Sequence, residues 1–430
     1  MWGTAQRGLQ GPATMPERES LPTTPPVQSA WLSGLTSLTR SLARLIPPSP
    51  FTPERWIKAA QRSTGLTDLG SEQFGDIVRP LSVWLDAVEN EADLSPLGRR
   101  ILRNEVKRAL HARLKVIDAL NKAPQILNEP IARPRFIVGL PRSGTTMLHR
   151  LLALDPTAHA PLFWELLRPA PPTNPSRDLR RYYARWQLAA LLALVPDYRT
   201  VHPIYAEEPE ECVVATTHCF LTMQLDARVR TPRYVSWLLQ QDAIPVYRYH
   251  RAVLQLLQWK QPRRQWILKS PEHLFWLDSV LAVYPDAEIV QIHRDPMQIT
   301  PSGCSLLMTT RRIFSERLHP EKLGEEWLSQ WGSALERFTK ARAALPRRQC
   351  FDVSYQDLIT DPRGVLRSIR THFGEEHTPE HDMEVTRWLK ANPAERHGKH
   401  SYTLAEFGLT KAQVEARFSA YWERWSRRAG

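Results

Sequence analysis

The sequence predicts an α/β fold: a P-loop-type parallel sheet with helices on both faces, preceded by a helical extension. Three observations carry this. Residues 134–154 read as an apolar run, a glycine-punctuated turn and an amphipathic helix. Four apolar strand candidates are separated by helical patterns. Basic or hydroxyl residues fall where those strands end, the edge at which open parallel sheets collect ligands.

The first element is the most informative. Phe136, Ile137 and Val138 have the composition of a buried parallel strand, and Gly139 ends it. The turn P-R-S-G-T-T at 141–146 then leads into a helix with apolar Met147, Leu148, Leu151, Leu152 and Leu154. Such a turn aims backbone N–H groups and the positive end of a helix dipole at an anion, which suits Ser143, Gly144, Thr145 and Thr146 to a phosphate. The glycine spacing is that of a P-loop, yet Thr145 stands where an ATP- or GTP-binding loop places Lys, and the cation is Arg142 instead.

A chain of 430 residues is long enough for one large α/β domain with extensions, or for two domains. The net charge of +12 suggests an anionic ligand, and scattered rather than massed Lys and Arg favour a small anionic cofactor. Nucleic-acid binding is not expected, because RNA-binding and zinc-finger patterns are absent. The four cysteines show neither C-x-x-C nor zinc-ligand spacing, and a reduced, cytoplasmic setting is expected. No signal-peptide core opens the sequence, and the apolar run 188–196 is shorter than the roughly 20 residues that cross a bilayer.

Residues 1–28 are rich in Pro, Thr, Ser and Gly and are expected to form a disordered arm. Residues 29–125 are expected to form the helical extension, beginning with a stripe of Trp31, Leu35, Leu38, Leu42, Leu45 and Ile46. The α/β domain then occupies 126–430, with a loop-rich, proline-broken insertion at about 156–209 that shapes a substrate pocket. Helical patterns cover 210–225 and 242–259, the latter opening on Asp242 as a cap. Further strands are expected at 266–271, 288–293 and 350–354, ending at Lys269, Arg294 and Tyr355. A glutamate cluster at 207, 208, 210 and 211 reads mostly as structural acids preceding a helix.

These residues resemble sulfotransferases that use 3′-phosphoadenylyl sulfate (PAPS), especially bacterial members and the tyrosylprotein and carbohydrate branches. P-R-S-G-T-T is similar to the family's 5′-phosphosulfate loop. H-R-D-P-M-Q-I-T-P-S at 293–302 is similar to its 3′-phosphate site and implies Arg294 and Ser302 there. L-K-S-P-E-H-L at 268–274 looks like the family's strand end facing the transferring group, implying that Lys269 neutralises charge on the leaving phosphate. Y-Q-D-L-I-T-D-P at 355–362 implies Tyr355 near the nucleotide, and R-H-G-K-H at 396–400 resembles a C-terminal loop in which Arg396, Gly398, Lys399 and His400 close over the phosphates.

The resemblance implies sulfuryl transfer from PAPS to a hydroxyl or amine of a small-molecule, glycan or lipid acceptor, without a metal. Two residues compete as general base. Glu165 sits where the tyrosylprotein and carbohydrate branches draw a catalytic Glu. His273 follows Lys269 closely, as a His does in the cytosolic branch, and has the better intrinsic pKa. The Arg142 type of loop goes with the Glu branch, so Glu165 is preferred. A P-loop kinase or hydrolase and a non-catalytic nucleotide-binding relative are the alternatives.

Overall fold

The computed structural model describes residues 51–172, 174–195, 198, 203–392 and 402–429. The expected arm at 1–28, the apolar stripe at 31–46 and the basic residues 396–400 lie outside them.

Five parallel strands, β1 (Arg135–Val138), β2 (Ala158–His159), β3 (Gln265–Lys269), β4 (Glu288–His293) and β5 (Cys350–Ser354), form one sheet in the order β2-β3-β1-β4-β5. Phe136 lies beside Leu268 on one side and Ile289 on the other, so β1 is central and its carboxyl end opens between β3 and β4. β2 falls inside the stretch expected to be loop-rich. Its two residues pair with Gln265 and Trp266, and a strand that short shows no alternation that a pattern can reveal.

Twelve of the helices position the site or its support. They are α1 (Pro53–Thr64), α2 (Val78–Glu91), α3 (Pro96–Lys122), α4 (Thr145–Leu152), α5 (Phe163–Leu167), α6 (Arg180–Leu194), α7 (Ile244–Gln258), α8 (Pro296–Arg311), α9 (Pro320–Arg342), α10 (Pro362–His372), α11 (Pro379–Ala391) and α12 (Lys411–Ala429). Several start with a capping side chain followed by proline. Ser95 accepts from Gly98 N–H before α3, Asp295 from Met297 before α8, and Asp361 from Gly364 before α10.

Strand alternation divides the core. Phe136, Val138, Leu268 and Ile289 face a layer containing Leu81, Trp84, Leu102, Leu110 and Leu114 of α2 and α3. Ile137, Ile267, Val290 and Val353 face the other side, against Leu148 and Leu151 of α4, Leu366 and Ile369 of α10 and Val385 of α11. The N-terminal helices therefore share the sheet's core. Among the described residues no helix is long and apolar enough to cross a membrane.

Candidate functional site

The carboxyl ends of β3, β1, β4 and β5 bring Lys269, the 139–146 turn, Arg294 and Tyr355 to one edge. A Cβ on Gly139 would lie 2.6 Å from Ser143 Oγ and 2.9 Å from the Ile292 carbonyl oxygen, so the turn closes only with glycine there. Gly144 has φ +97 and packs on Tyr355, whose ring would be 2.8 Å from an added Cβ. Arg142 also has positive φ, +72, a conformation that costs a non-glycine residue on the order of 1 kcal/mol or more and persists only where its surroundings hold it.

Those surroundings are the residues predicted for the 3′-phosphate. Arg294 Nη1 donates to the Arg142 carbonyl oxygen at 2.9 Å, and Arg142 Nε donates to Ser302 Oγ at 3.1 Å. Arg294 stacks on Tyr355 with its guanidinium carbon 4.0 Å from the ring centroid, while Asp295, a conceivable ion-pair partner, caps α8. Two cations thus sit side by side. Burial, and then the Arg294 charge, push the Arg142 guanidinium below its ordinary pKa, so an anion there would relieve both effects.

On the other side of β1, Lys269 is 1% exposed, and its ammonium donates to Glu211 Oε1 at 2.5 Å and to Thr146 Oγ1 at 3.3 Å. His149 of α4 donates from Nε2 to the Ile267 carbonyl at 3.1 Å, tying the phosphate-loop helix to β3. Its pKa falls to about 3 through burial and then the Lys269 charge, so it is neutral.

Glu211 is the residue that the sequence did not single out. Within its acidic cluster, Glu207 pairs with Arg185 at 2.6 Å and Glu210 Oε1 accepts the Glu211 N–H, both structural as expected. Glu211 departs from that expectation because Cys212 N–H donates to the Lys269 carbonyl, laying this segment against the end of β3. Only that long-range register distinguishes it from its acidic neighbours.

The same segment places Glu165. Phe163 N–H donates to the Glu208 carbonyl, Trp164 to Ala206 and Glu210 to Pro161, forming a ribbon that joins the start of α5 to the approach to Glu211. Glu165 Oε2 accepts the Leu162 N–H at 2.9 Å and lies 3.5 Å from His159 Nε2, and no partner for Oε1 is found among the described residues. His273 is not brought to this edge. It is 2% exposed inside an aromatic core, bonded through Nδ1 to the Tyr247 hydroxyl at 2.8 Å and edge-on to Phe136. Burial, with the His250 and Lys269 charges, drives its pKa well below the ordinary value. Arg396, Gly398 and Lys399 lie outside the described residues, although Tyr402, just beyond them, sits close enough to act on the Arg142 charge.

The donor set suits a nucleotide phosphorylated at both ends of its ribose. Among the described residues Ser143 Oγ and Arg294 Nε are buried without partners, and the first-turn N–H groups of α4 have no intrahelical acceptor. Among the described residues, no group of three or more His, Cys, Asp or Glu has an arrangement able to hold a metal ion.

The chain is similar to known sulfotransferases. The chain resembles the omega-hydroxy-beta-dihydromenaquinone-9 sulfotransferase Stf3 of Mycobacterium bovis at 26% identity over 272 residues, 60% of this chain and 66% of that protein, just under two thirds of its length. It superposes on the crystal structure of sulfotransferase STF1 from Mycobacterium tuberculosis with a TM-score of 0.77 and 35% identity, covering 86% of this chain and 99% of that one. For STF9 from Mycobacterium avium the TM-score is 0.79 at 28% identity, covering 87% and 98%. The family profile matches residues 134–379, a span that contains the Arg142 loop, Glu165, Glu211, Lys269, Arg294 and Tyr355; the chain belongs to the sulfotransferase family.

Proposed function

We propose that the chain transfers a sulfuryl group from PAPS to a hydroxyl of a small acceptor, with Glu165 as base. The observation that carries this reading is the pairing of two cation sites across β1. Arg142 and Arg294 lie side by side on one side, joined through the Arg142 carbonyl, and the buried Lys269 faces Thr146 on the other. A 3′-phosphate fits Arg294 and Ser302, and a 5′-phosphosulfate fits the α4 N-terminus between Arg142 and Lys269.

PAPS supplies the activated sulfur. The acceptor oxygen forms the new S–O bond as the bond from sulfur to the bridging oxygen of the 5′-phosphate breaks, and the acceptor proton passes to Glu165 Oε1. Lys269 neutralises charge on the departing phosphate oxygen. Glu211 keeps the Lys269 ammonium aimed at Thr146 and the loop. The protein's contribution is alignment and fixed charge.

The likeness to a menaquinone-derivative sulfotransferase supports a lipid-like acceptor class, and the reading keeps a cytoplasmic setting. The direct test is release of adenosine 3′,5′-bisphosphate from PAPS with a hydroxyl-acceptor panel. Binding of ATP with Mg²⁺ in preference to PAPS would overturn it.

A further inference from the structure

A second concentration of positive charge adjoins this edge and takes no part in holding the nucleotide. Arg168 at the end of α5 and Arg228 at the end of the short helix Gln224–Arg228 lie close enough to Arg108 of α3 for their charges to act on it, as does the carboxylate of Glu105, one turn before Arg108. Arg228 Nε lies 2.9 Å from Glu105 Oε2, an ion pair that leaves that oxygen without an aligned hydrogen bond. Among the described residues, Arg108 Nε and Nη1 are buried with no partner, and Arg168 Nε is buried and unpartnered as its guanidinium rests 4.9 Å over the Tyr183 ring. Burial and the Arg228 and Arg168 charges outweigh Glu105 and bring the Arg108 pKa to about 10.

His218 adds a fourth group. It is fully buried and bonded through Nδ1 to the Tyr249 hydroxyl at 3.2 Å, and among the described residues its Nε2 has no partner. Burial and the Arg108 and Arg113 charges hold it neutral.

Structural guanidiniums in a protein interior are ordinarily saturated with acceptors, because each buried, unpaired polar group costs about 1–3 kcal/mol and a charge costs more. Among the described residues Glu105 pairs with Arg228, while Arg108 and Arg168 keep buried nitrogens without a partner, so the group is short of an anion. Tyr198, partly buried, packs against the same core. Arg168 follows directly on the helix that carries Glu165.

We propose that Arg108, Arg168 and Arg228 form an anion subsite of the acceptor cleft. The acceptor then carries, apart from the hydroxyl that receives the sulfuryl group, an oxyanion such as a carboxylate or phosphate monoester. This rests on the sulfuryl-transfer reading and specifies the substrate class of the same site. The anion anchors the remote end of the acceptor, and Glu165 and Lys269 meet its hydroxyl.

The experiment compares matched acceptors differing only in that group, such as a twelve-carbon ω-hydroxy fatty acid and the corresponding diol. The expected result is kcat/KM roughly tenfold or more higher for the anionic member. Arg108→Gln and Arg228→Gln should each erase that preference by raising KM for the anionic acceptor alone. Bisphosphate affinity should stay unchanged in both variants, and in Arg108→Gln the melting temperature should hold or rise, because an uncompensated charge is removed. Equal kcat/KM within pairs, or a preference that survives both substitutions, would overturn the subsite. If no pair turns over, inorganic phosphate titrated onto bisphosphate-saturated protein decides the question. Saturable thermal stabilisation lost in Arg108→Gln and kept in Lys269→Met supports the subsite, and its absence refutes it. Failure of the bisphosphate itself to bind would instead refute the sulfuryl-transfer reading.

Discussion

The Lys269 ammonium, buried at the end of β3, lies 2.5 Å from Glu211 Oε1, and the peptide that follows Glu211 is itself bonded to the Lys269 carbonyl. Side chain and backbone fix this pair together, so its two members respond differently from an exposed ion pair. Glu211→Gln leaves a buried ammonium without its counter-ion, and about 1–3 kcal/mol of stability should be lost because Glu211 is partly solvated. Turnover should fall as Lys269 loses its aim. Thermal unfolding and steady-state kinetics on the same preparation check both; a stable, fully active variant would contradict the assignment.

Glu165→Gln separates proton transfer from alignment. The amide keeps an oxygen to accept the Leu162 N–H, so α5 stays capped, yet it cannot take the acceptor proton. The expected outcome is a loss of about 10²- to 10⁴-fold in kcat with little change in melting temperature or bisphosphate affinity. Full activity would remove Glu165 from the mechanism.

His273→Gln should behave as a core substitution. Its Nδ1 bond to Tyr247 and its contact with Phe136 are structural, and the variant should lose about 1–3 kcal/mol while the folded fraction keeps near wild-type kcat. A large kcat loss at unchanged stability would return His273 to the list of base candidates.

Arg294→Ala removes a cation, the brace on the Arg142 carbonyl and the stacking on Tyr355. Charge-assisted hydrogen bonds of this kind contribute about 1.5–3 kcal/mol, so bisphosphate affinity should weaken roughly 10- to 100-fold by calorimetry. Unchanged affinity would refute the 3′-phosphate assignment.

Glu272 predicts a pH dependence. Buried at the turn after β3, it accepts from Thr222 Oγ1 at 2.5 Å, and burial, with repulsion from Glu211, raises its pKa to about 8. Between the ordinary carboxylate range and that value the folded chain holds a proton that the unfolded chain has lost. This contribution therefore falls as pH rises through the window, by up to about 1.4 kcal/mol per unit. Glu272→Gln should flatten the slope of stability between pH 5 and pH 8 in denaturant titrations. An unaltered slope would show that Glu272 is ionised in the fold.

The sequence by itself determined the strand-to-helix anion loop, the α/β class and the strand ends carrying Arg142, Lys269 and Arg294. These depend on local signals: apolar runs, glycines at turns, and the rule that ligands collect where parallel strands end. Tyr355 and Ser302 come from the resemblance of their segments to those of the family rather than from a local pattern. Tertiary structure alone decided the rest. β2 is too short to leave a pattern, and Glu211 differs from the glutamates around it only through a backbone bond to a strand 57 residues later in the chain. The loop type favours Glu165 over His273 as base, but the burial of the two is not legible in sequence because it is a sum over distant elements: the His273 ring is enclosed by Phe136, Tyr247 and His250, and the Glu165 side chain lies on a ribbon at the edge of the sheet. Arg108 of α3, Arg168 after α5 and Arg228 are far apart in sequence, so their proximity exists only once the chain has folded.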